Sequence, residues 1–333
     1  MRIERFLAGY ETPIIFPLGP NLHAAQFRLM KLLPARFMFD RAEDRGELRP
    51  AGDVVETSSG TFALALAMLT ASRGYHLTIV SASSLIDAPF KLRLEELGAQ
   101  VLLVEDRQGT GEQAGRLSLL RSILQAKPHT FWPRQYDNPD NPAAYSRLAE
   151  LLVERIAPVD CLVGCVGSGG SLCGTASYLR AIFPALKVIA VDTHGSALFG
   201  HRPARRLLRG LGNSIVPGNL DHSAIDEVHW IGAFHAFEET RDLHRHHALF
   251  IGPTSGAAAR VARWYARAHP TETVVTIMPD EGYRYQSTVY SDEWLEAQEG
   301  WLRARRNEPI ELHKIEPASE SDWTFTRWSR RIP

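Results

Sequence analysis

Six short apolar runs alternate with longer segments of helical spacing, and no other feature restricts the possible fold so strongly. The runs are 53-DVVET-57, 77-LTIVSA-82, 101-VLLVED-106, 159-VDCLVGCV-166, 187-KVIAVD-192 and 273-TVVTIMP-279. Helical periodicity marks residues 34–48, 61–73, 89–98, 111–126, 142–156, 171–184, 235–246 and 255–268. Strands that are apolar without alternation are buried on both faces of a parallel sheet. Their regular exchange with helices predicts right-handed βαβ units, hence an α/β fold with mostly parallel sheets flanked by helices. A chain of 333 residues, 44% apolar, supplies the core of one large or two mid-sized domains. The Pro- and Asn-rich stretch 132-WPRQYDNPDNP-142 reads as a loop at an interdomain crossing. Residues 296–333, rich in charge and carrying Trp301, Trp323 and Trp328, read as an appended tail or an oligomer arm.

Charge narrows the partners. With 37 basic and 38 acidic residues, the chain has no general field for nucleic acid or an anionic membrane. No apolar run is long enough to span a bilayer. The opening MRIERFLAGYETP has no apolar signal core, so a cytoplasmic location is expected. Cys161, Cys165 and Cys173 fit buried small hydrophobes better than a disulfide framework, and their spacing matches no standard zinc pattern. His244, His246 and His247 sit where cations offset a helix dipole, so no metal is expected. Only five lysines are present, Lys31, Lys91, Lys127, Lys187 and Lys314, so chemistry that needs an amine has few candidates.

Three small-residue loops each open a helix after an apolar strand. The first, 167-GSGGS-171, is either a phosphate cradle or a tight strand–helix turn. Leu172 stands where a dinucleotide fingerprint needs its third glycine, and no lysine completes a P-loop. An isolated phosphate on a small cofactor therefore fits better than a nucleotide. The second, 57-TSSGTF-62, either grips a carboxylate or caps a helix. The third, 252-GPTSGAA-258, places Thr254 and Ser255 against a cofactor ring or in a cap. Lys31, on spacing alone, is either a surface lysine at a helix start or a functional amine.

The order of these motifs resembles the fold-type II pyridoxal-phosphate (PLP) enzymes, in the cysteine synthase and cystathionine β-synthase group. The resemblance runs from about Thr12 to Trp294. Segment 31-KLLPARFMFDRAEDRGELRPAG-52 matches the stretch that begins at the family's Schiff-base lysine. Segments 58-SSGTF-62, 135-QYDNP-139 and 167-GSGGS-171 are similar to its substrate loop, its Q-x-x-N-P segment and its phosphate loop. The later motifs appear as 210-GLGNSIVPGNLD-221, 254-TSGAA-258 and 279-PDEGYRYQST-288. Departures fall at the chemistry. The approach to the lysine reads 26-QFRLM-30, Thr61 and Phe62 replace an asparagine and a threonine, and Leu32-Leu33 replace an Asp-Arg pair. The stretch from Thr12-Pro13 to Lys31 is also shorter, which predicts a trimmed or missing strand.

The resemblance implies two α/β domains of the tryptophan synthase β-like kind. Residues 21–130 would form the smaller one with Lys31 and the substrate loop; residues 1–20 and 131–295 would form the larger one with the phosphate loop. It implies Lys31 as catalytic amine and cofactor anchor, with Thr61, Gly167, Ser168, Gly169, Gly170, Ser171 and Thr254 on the cofactor. It places Ser58, Ser59, Gly60, Thr61, Gln135 and Gly210 on the substrate. The implied reaction is β-replacement on an O-activated serine through an α-aminoacrylate. The alternatives are a β-eliminating lyase acting on cysteine or a conjugate, and a PLP-fold protein with altered catalysis. The implied partners are a small amino acid and a second copy of the chain.

Overall fold

The computed structural model describes residues 5–107, 109, 111–315 and 322–330. Its strands are β1 (Ile14–Pro17), β2 (Leu22–Gln26), β3 (Asp53–Glu56), β4 (His76–Ala82), β5 (Gln100–Val104), β6 (Cys161–Cys165), β7 (Lys187–Asp192), β8 (Glu227–Ile231), β9 (Val274–Met278), β10 (Ile310–Glu311) and β11 (Trp323–Arg327). All six apolar runs are strands. The chain divides into two compact units. One holds residues up to Glu11 with Leu29–Ala144; the other holds Thr12–Arg28 with Tyr145 onward.

The smaller unit is a parallel three-stranded sheet in the order β3-β4-β5. Successive side chains of a strand face opposite ways. Val54 and Ile79 accordingly pack with Leu32, Phe39, Phe62 and Leu66, from helices Leu32–Asp44 and Thr61–Arg73. Val55 and Val80 face the other way, onto Leu120 of helix Gln113–Ala126. Both faces of β3 and β4 are covered, which is why they read as apolar runs; β5, at the edge, is only partly buried.

The larger unit is an eight-stranded sheet in the order β1-β2-β9-β6-β7-β8-β11-β10. From β2 to β8 every pair is parallel; β1 and β11 join antiparallel. Cys161, Val163, Ile189, Val191 and Ile231 bury one face against helices Ala233–His247 and Pro253–Ala268.

The unit boundaries differ from the sequence expectation at four places. Residues 21–28 belong to the larger unit, because β2 pairs with β9 (Ala24↔Thr276). Residues 131–144 stay with the smaller unit: Phe131 bridges Val54, and Asp140 binds Arg45 at 2.8 Å. Helix Arg5–Glu11 also joins the smaller unit, through buried Leu7 and the Glu11–Arg36 pair at 2.8 Å. The expected helix over 142–156 is broken into Asp140–Ala143 and Ser146–Arg155, and the break coincides with the change of unit. The shortened approach to Lys31 holds two strands, β1 and β2, in antiparallel register (Phe16↔Ala24).

The fourth difference is the supposed tail. β11 pairs along the whole of β8, and Trp323 lies in the main core. Its indole Nε1 donates to His229 Nδ1 at 3.0 Å. An indole N–H only donates, so Nδ1 is the acceptor and the other ring nitrogen carries the hydrogen given to Glu227 Oε1 at 2.8 Å. Burial lowers the His229 pKa and favours this neutral ring. Trp323→Phe keeps the ring but leaves buried Nδ1 without its donor. We expect a loss of about 1–3 kcal/mol in urea unfolding, against little change for an exposed tail.

Candidate active site

Lys31 is the residue before helix Leu32–Asp44, and its carbonyl accepts from Ala35 N at 3.2 Å. Its neighbours Leu29, Met30 and Leu32 are buried. Desolvation among these groups lowers the Lys31 pKa to about 8, so an ammonium that is usually permanent becomes a group that titrates near neutrality.

The second loop of the smaller unit follows β3. Thr57 and Ser58 are buried, and Ser59 Oγ lies 2.7 Å from Ser81 Oγ. Gly60 is the N-cap of helix Thr61–Arg73, with no side-chain cap. Capping was one reading of this loop in the sequence; the N-cap is a glycine, and its N–H donates to Ser58 Oγ at 3.5 Å. Phe62, the next residue, belongs to the same core as Leu32. The residue after Lys31 and the residue after Thr61 are thus anchored in one apolar cluster.

Gln135 is buried in the same unit. Its N–H donates to Glu56 Oε2 at 3.2 Å, and its carbonyl accepts from Asn141 Nδ2 at 2.5 Å. In the sequence Glu56 stands only as one residue of the run 53-DVVET-57. The signal that marks it is its position, immediately before the Ser-rich loop. Arg116 was missed as well. It lies buried, donating to Thr57 Oγ1 at 3.1 Å and to Gln113 Oε1. Arg134, beside Gln135, is exposed.

The larger unit holds the other residues. Gly169 is the N-cap of helix Gly170–Ile182, with φ +83° and no side-chain cap. A Cβ there would stand 2.5 Å from Asn219 O and 2.6 Å from Leu220 Cα, so only glycine fits. Gly167, two residues earlier, has nothing nearer than Gly210 O at 3.7 Å. Ser168 between them is buried, and Ser171 lies in the first turn of the helix. This is an open backbone cradle at a helix N-terminus, suited to an anion.

Thr254 sits in the first turn of helix Pro253–Ala268, again behind a glycine N-cap without side-chain capping. Its hydroxyl reaches Arg209 O at 3.4 Å, and Cys165 Sγ meets its carbonyl at 3.2 Å. Gly210 has φ +97°, and a Cβ on it would collide with Thr254 Oγ1. Ser255 Oγ is fully buried with no hydrogen-bond partner among the described residues. Below this region Tyr285 donates to Asp280 Oδ2 at 3.0 Å, and burial raises the Asp280 pKa to about 6.

Each sequence-expected residue therefore falls in one of two groups. Lys31, Ser58, Ser59, Gly60, Thr61 and Gln135 lie in the smaller unit; Gly167, Ser168, Gly169, Gly170, Ser171, Gly210 and Thr254 lie in the larger. The residues fit PLP. An open glycine cradle suits its phosphate, a hydroxyl beside an orphaned buried one suits its ring nitrogen, and a lysine of lowered pKa suits its aldehyde. All three histidines at 244–247 are exposed; His244 lies tilted against Phe250 and edge-on to Tyr290, and His247 Nε2 lies 3.1 Å from an Arg263 nitrogen.

Comparison with known proteins agrees. A family model described as pyridoxal-phosphate dependent enzyme matches residues 28–280. The N-(2-amino-2-carboxyethyl)-L-glutamate synthase of Ralstonia nicotianae is 36% identical over 266 residues, 79% of this chain and 78% of the relative. The synthase of that name from Cupriavidus metallidurans is 35% identical over 269 residues, 79% of each chain. Among solved structures, the O-acetylserine dependent cystathionine β-synthase of Helicobacter pylori superposes with TM-score 0.78 at 25% identity, covering 85% of this chain and 97% of that one. O-ureido-L-serine synthase superposes with TM-score 0.77 at 26% identity, covering 87% and 97%. No described helix is long and apolar enough to cross a membrane. Motif order, fold and relatives converge: the chain belongs to the pyridoxal-phosphate dependent enzymes, with the fold of their cysteine-synthase branch.

Proposed function

We propose that this enzyme joins the amino group of L-glutamate to the β-carbon of an O-activated L-serine. The supporting observation is identity of 36% and 35%, over four-fifths of the chain, to two synthases whose product name describes that bond. In the balanced reaction the serine Cβ–O bond breaks and the leaving group departs with the bonding pair. The glutamate nitrogen forms the Cβ–N bond and gives up one proton. The Cα proton is removed and then returned.

PLP supplies the electron sink for the pair left at Cα. Lys31 anchors the cofactor and carries the Cα proton; its lowered pKa keeps a useful neutral fraction of amine near neutrality. Gly167, Ser168, Gly169, Gly170 and Ser171 hold the phosphate. Thr254 offers the ring nitrogen a neutral hydroxyl, which fixes no proton there as a carboxylate would. Thr61 flanks the ring. Ser58, Ser59, Gly60, Thr61 and Gln135 hold the substrate carboxylate, and Gly210 leaves room for it. Within the same reading the enzyme is a cytoplasmic homodimer. The three cysteines, free in the structure, suit a reducing compartment, and dimerisation follows from the family resemblance.

The test is product analysis. Holoenzyme incubated with O-acetyl- or O-phospho-L-serine plus L-glutamate should give the N-linked product by mass spectrometry, and glutamate should suppress pyruvate. Pyruvate and ammonia at the same rate with and without glutamate would establish elimination instead. No reaction with any serine or cysteine derivative would favour the altered-catalysis alternative.

A further inference from the structure

Glu56 is a buried acid that the mechanism above does not use. It ends β3, and its carboxylate gathers N–H groups from two separate segments. Oε1 accepts from Thr57 N at 2.6 Å and from Trp132 Nε1 at 3.3 Å. Oε2 accepts from Gln135 N at 3.2 Å. Thr57 begins the substrate loop, and Trp132 and Gln135 flank the turn that carries the Gln135 side chain. That turn is already docked beside β3: Val55 N meets Phe131 O and Phe131 N meets Asp53 O, both at 2.9 Å. Past this pairing the Glu56 side chain continues the connection.

We propose that Glu56 is a positioning residue whose carboxylate fastens the 57–61 loop to the 132–135 turn, so that both meet the substrate as one surface. This rests on the assignment of Ser58–Thr61 and Gln135 to the substrate. Its physical basis is that a buried carboxylate is costly unless its lone pairs are filled, and only the joined arrangement fills them. Protonation turns one oxygen into a donor facing N–H groups, which breaks the fastening.

The charged surroundings set where that happens. Burial raises the Glu56 pKa to about 7, against the pull of its N–H donors. Arg116, from helix Gln113–Ala126, lies within electrostatic reach of Glu56, and Tyr136, Asp106 and Glu112 in turn lie within reach of Arg116. None of these forms an ion pair with Glu56 among the described residues. For a carboxyl whose pKa is raised in the folded state, folding stability falls as pH climbs from the ordinary carboxylate range to about 7. The ionised state is therefore kept at a cost in stability, as expected of a residue retained for geometry.

Hydrogen exchange of the holoenzyme tests this, with rates corrected for intrinsic pH dependence. In the wild type, protection of peptides covering 57–61 and 132–136 should fall together, about fivefold or more, between pH 8 and pH 6. Glu56→Gln should show the low protection at both pH values. Its KM for the serine substrate should rise about tenfold with kcat little changed, and the KM should lose its dependence on pH across 6–8. Glu56→Asp should restore part of that dependence. Should Glu56→Gln fail to hold cofactor, the wild-type pH arm and Trp132→Phe, which removes a single donor, decide the matter. Exchange in the two segments that ignores both pH and substitution overturns the proposal. Exchange that responds while KM stays constant upholds the fastening and instead removes Ser58–Thr61 and Gln135 from the substrate site.

Discussion

Lys31→Ala is expected to yield a folded protein whose kcat is reduced by about 10³-fold or more. On the proposed assignment two functions are lost with one amine: the covalent hold on the cofactor and the carrier of the Cα proton. The check is borohydride reduction of the wild type followed by peptide mapping. Label is expected on the peptide containing Lys31 and absent from the variant; label on Lys91 or Lys127 would reassign the site. The apo proteins offer a second readout. A lysine whose pKa falls to about 8 in the folded chain binds fewer protons folded than unfolded between that pH and the ordinary value. Wild-type stability should therefore rise with pH across this window, and that rise should be missing from Lys31→Ala.

Gly169→Val is the most damaging single change expected in the larger unit. It places a branched side chain at φ +83°, with its Cβ 2.5 Å from a backbone oxygen and 2.6 Å from a backbone carbon. Left-handed backbone costs an L-residue about 1–2 kcal/mol, and forcing atoms into a packed wall adds about 1–3 more. The loop must then swing away from Asn219 and Leu220, and its N–H groups no longer converge. We expect a fall in thermal midpoint and loss of cofactor on dialysis. Gly167→Ala is the contrast, since its Cβ would find Gly210 O no closer than 3.7 Å. If Gly167→Ala keeps full stability yet releases PLP, the open space beside Gly167 is where the phosphate packs. If both variants retain PLP, the phosphate lies elsewhere.

Much of the framework was legible because buried parallel strands advertise themselves. β3, β4, β6, β7 and β9 are largely buried, so their sequences are apolar runs, and the edge strand β5 reads the same way although Leu103 is 42% exposed. β8 was not recognised. Its EVHWI contains Glu227 and His229, which look like surface residues. They are buried because Lys187 reaches Glu227 at 2.9 Å and Trp323 completes the His229 ring. Burial alone would raise the Glu227 carboxyl, but the His229 hydrogen bond and Lys187 pull it to about 2. Such long-range compensation leaves no local pattern. β11 was missed for the same reason: WTFTR is short and half polar, and only its pairing with β8 makes it a strand.

The candidate site was legible where backbone conformation demands particular residues. Gly169 and Gly210 have positive φ and no room for a side chain, so the glycines show in the sequence. The three helix starts posed a question that composition could not answer, because Ser and Thr cap helices as readily as they bind ligands. In the structure the N-cap positions themselves are glycines, Gly60, Gly169 and Gly252, which leaves the hydroxyls of these loops outside the N-cap position. Glu56 and Arg116 were invisible, since a strand-end acid and a helix arginine are ordinarily solvated.

The pairing of β2 with β9 has a consequence for how the chain reaches this state. Leu22 opposes Val274, so a strand emerging early must wait for a partner roughly 250 residues downstream. During vectorial synthesis the whole of Leu29–Ala144, with its locally connected β3-β4-β5 sheet, can condense in that interval. The early strand meanwhile presents unpaired edges. Crowded or overheated expression should therefore aggregate the nascent protein through β1–β2, and slowing translation should raise the yield of holoenzyme.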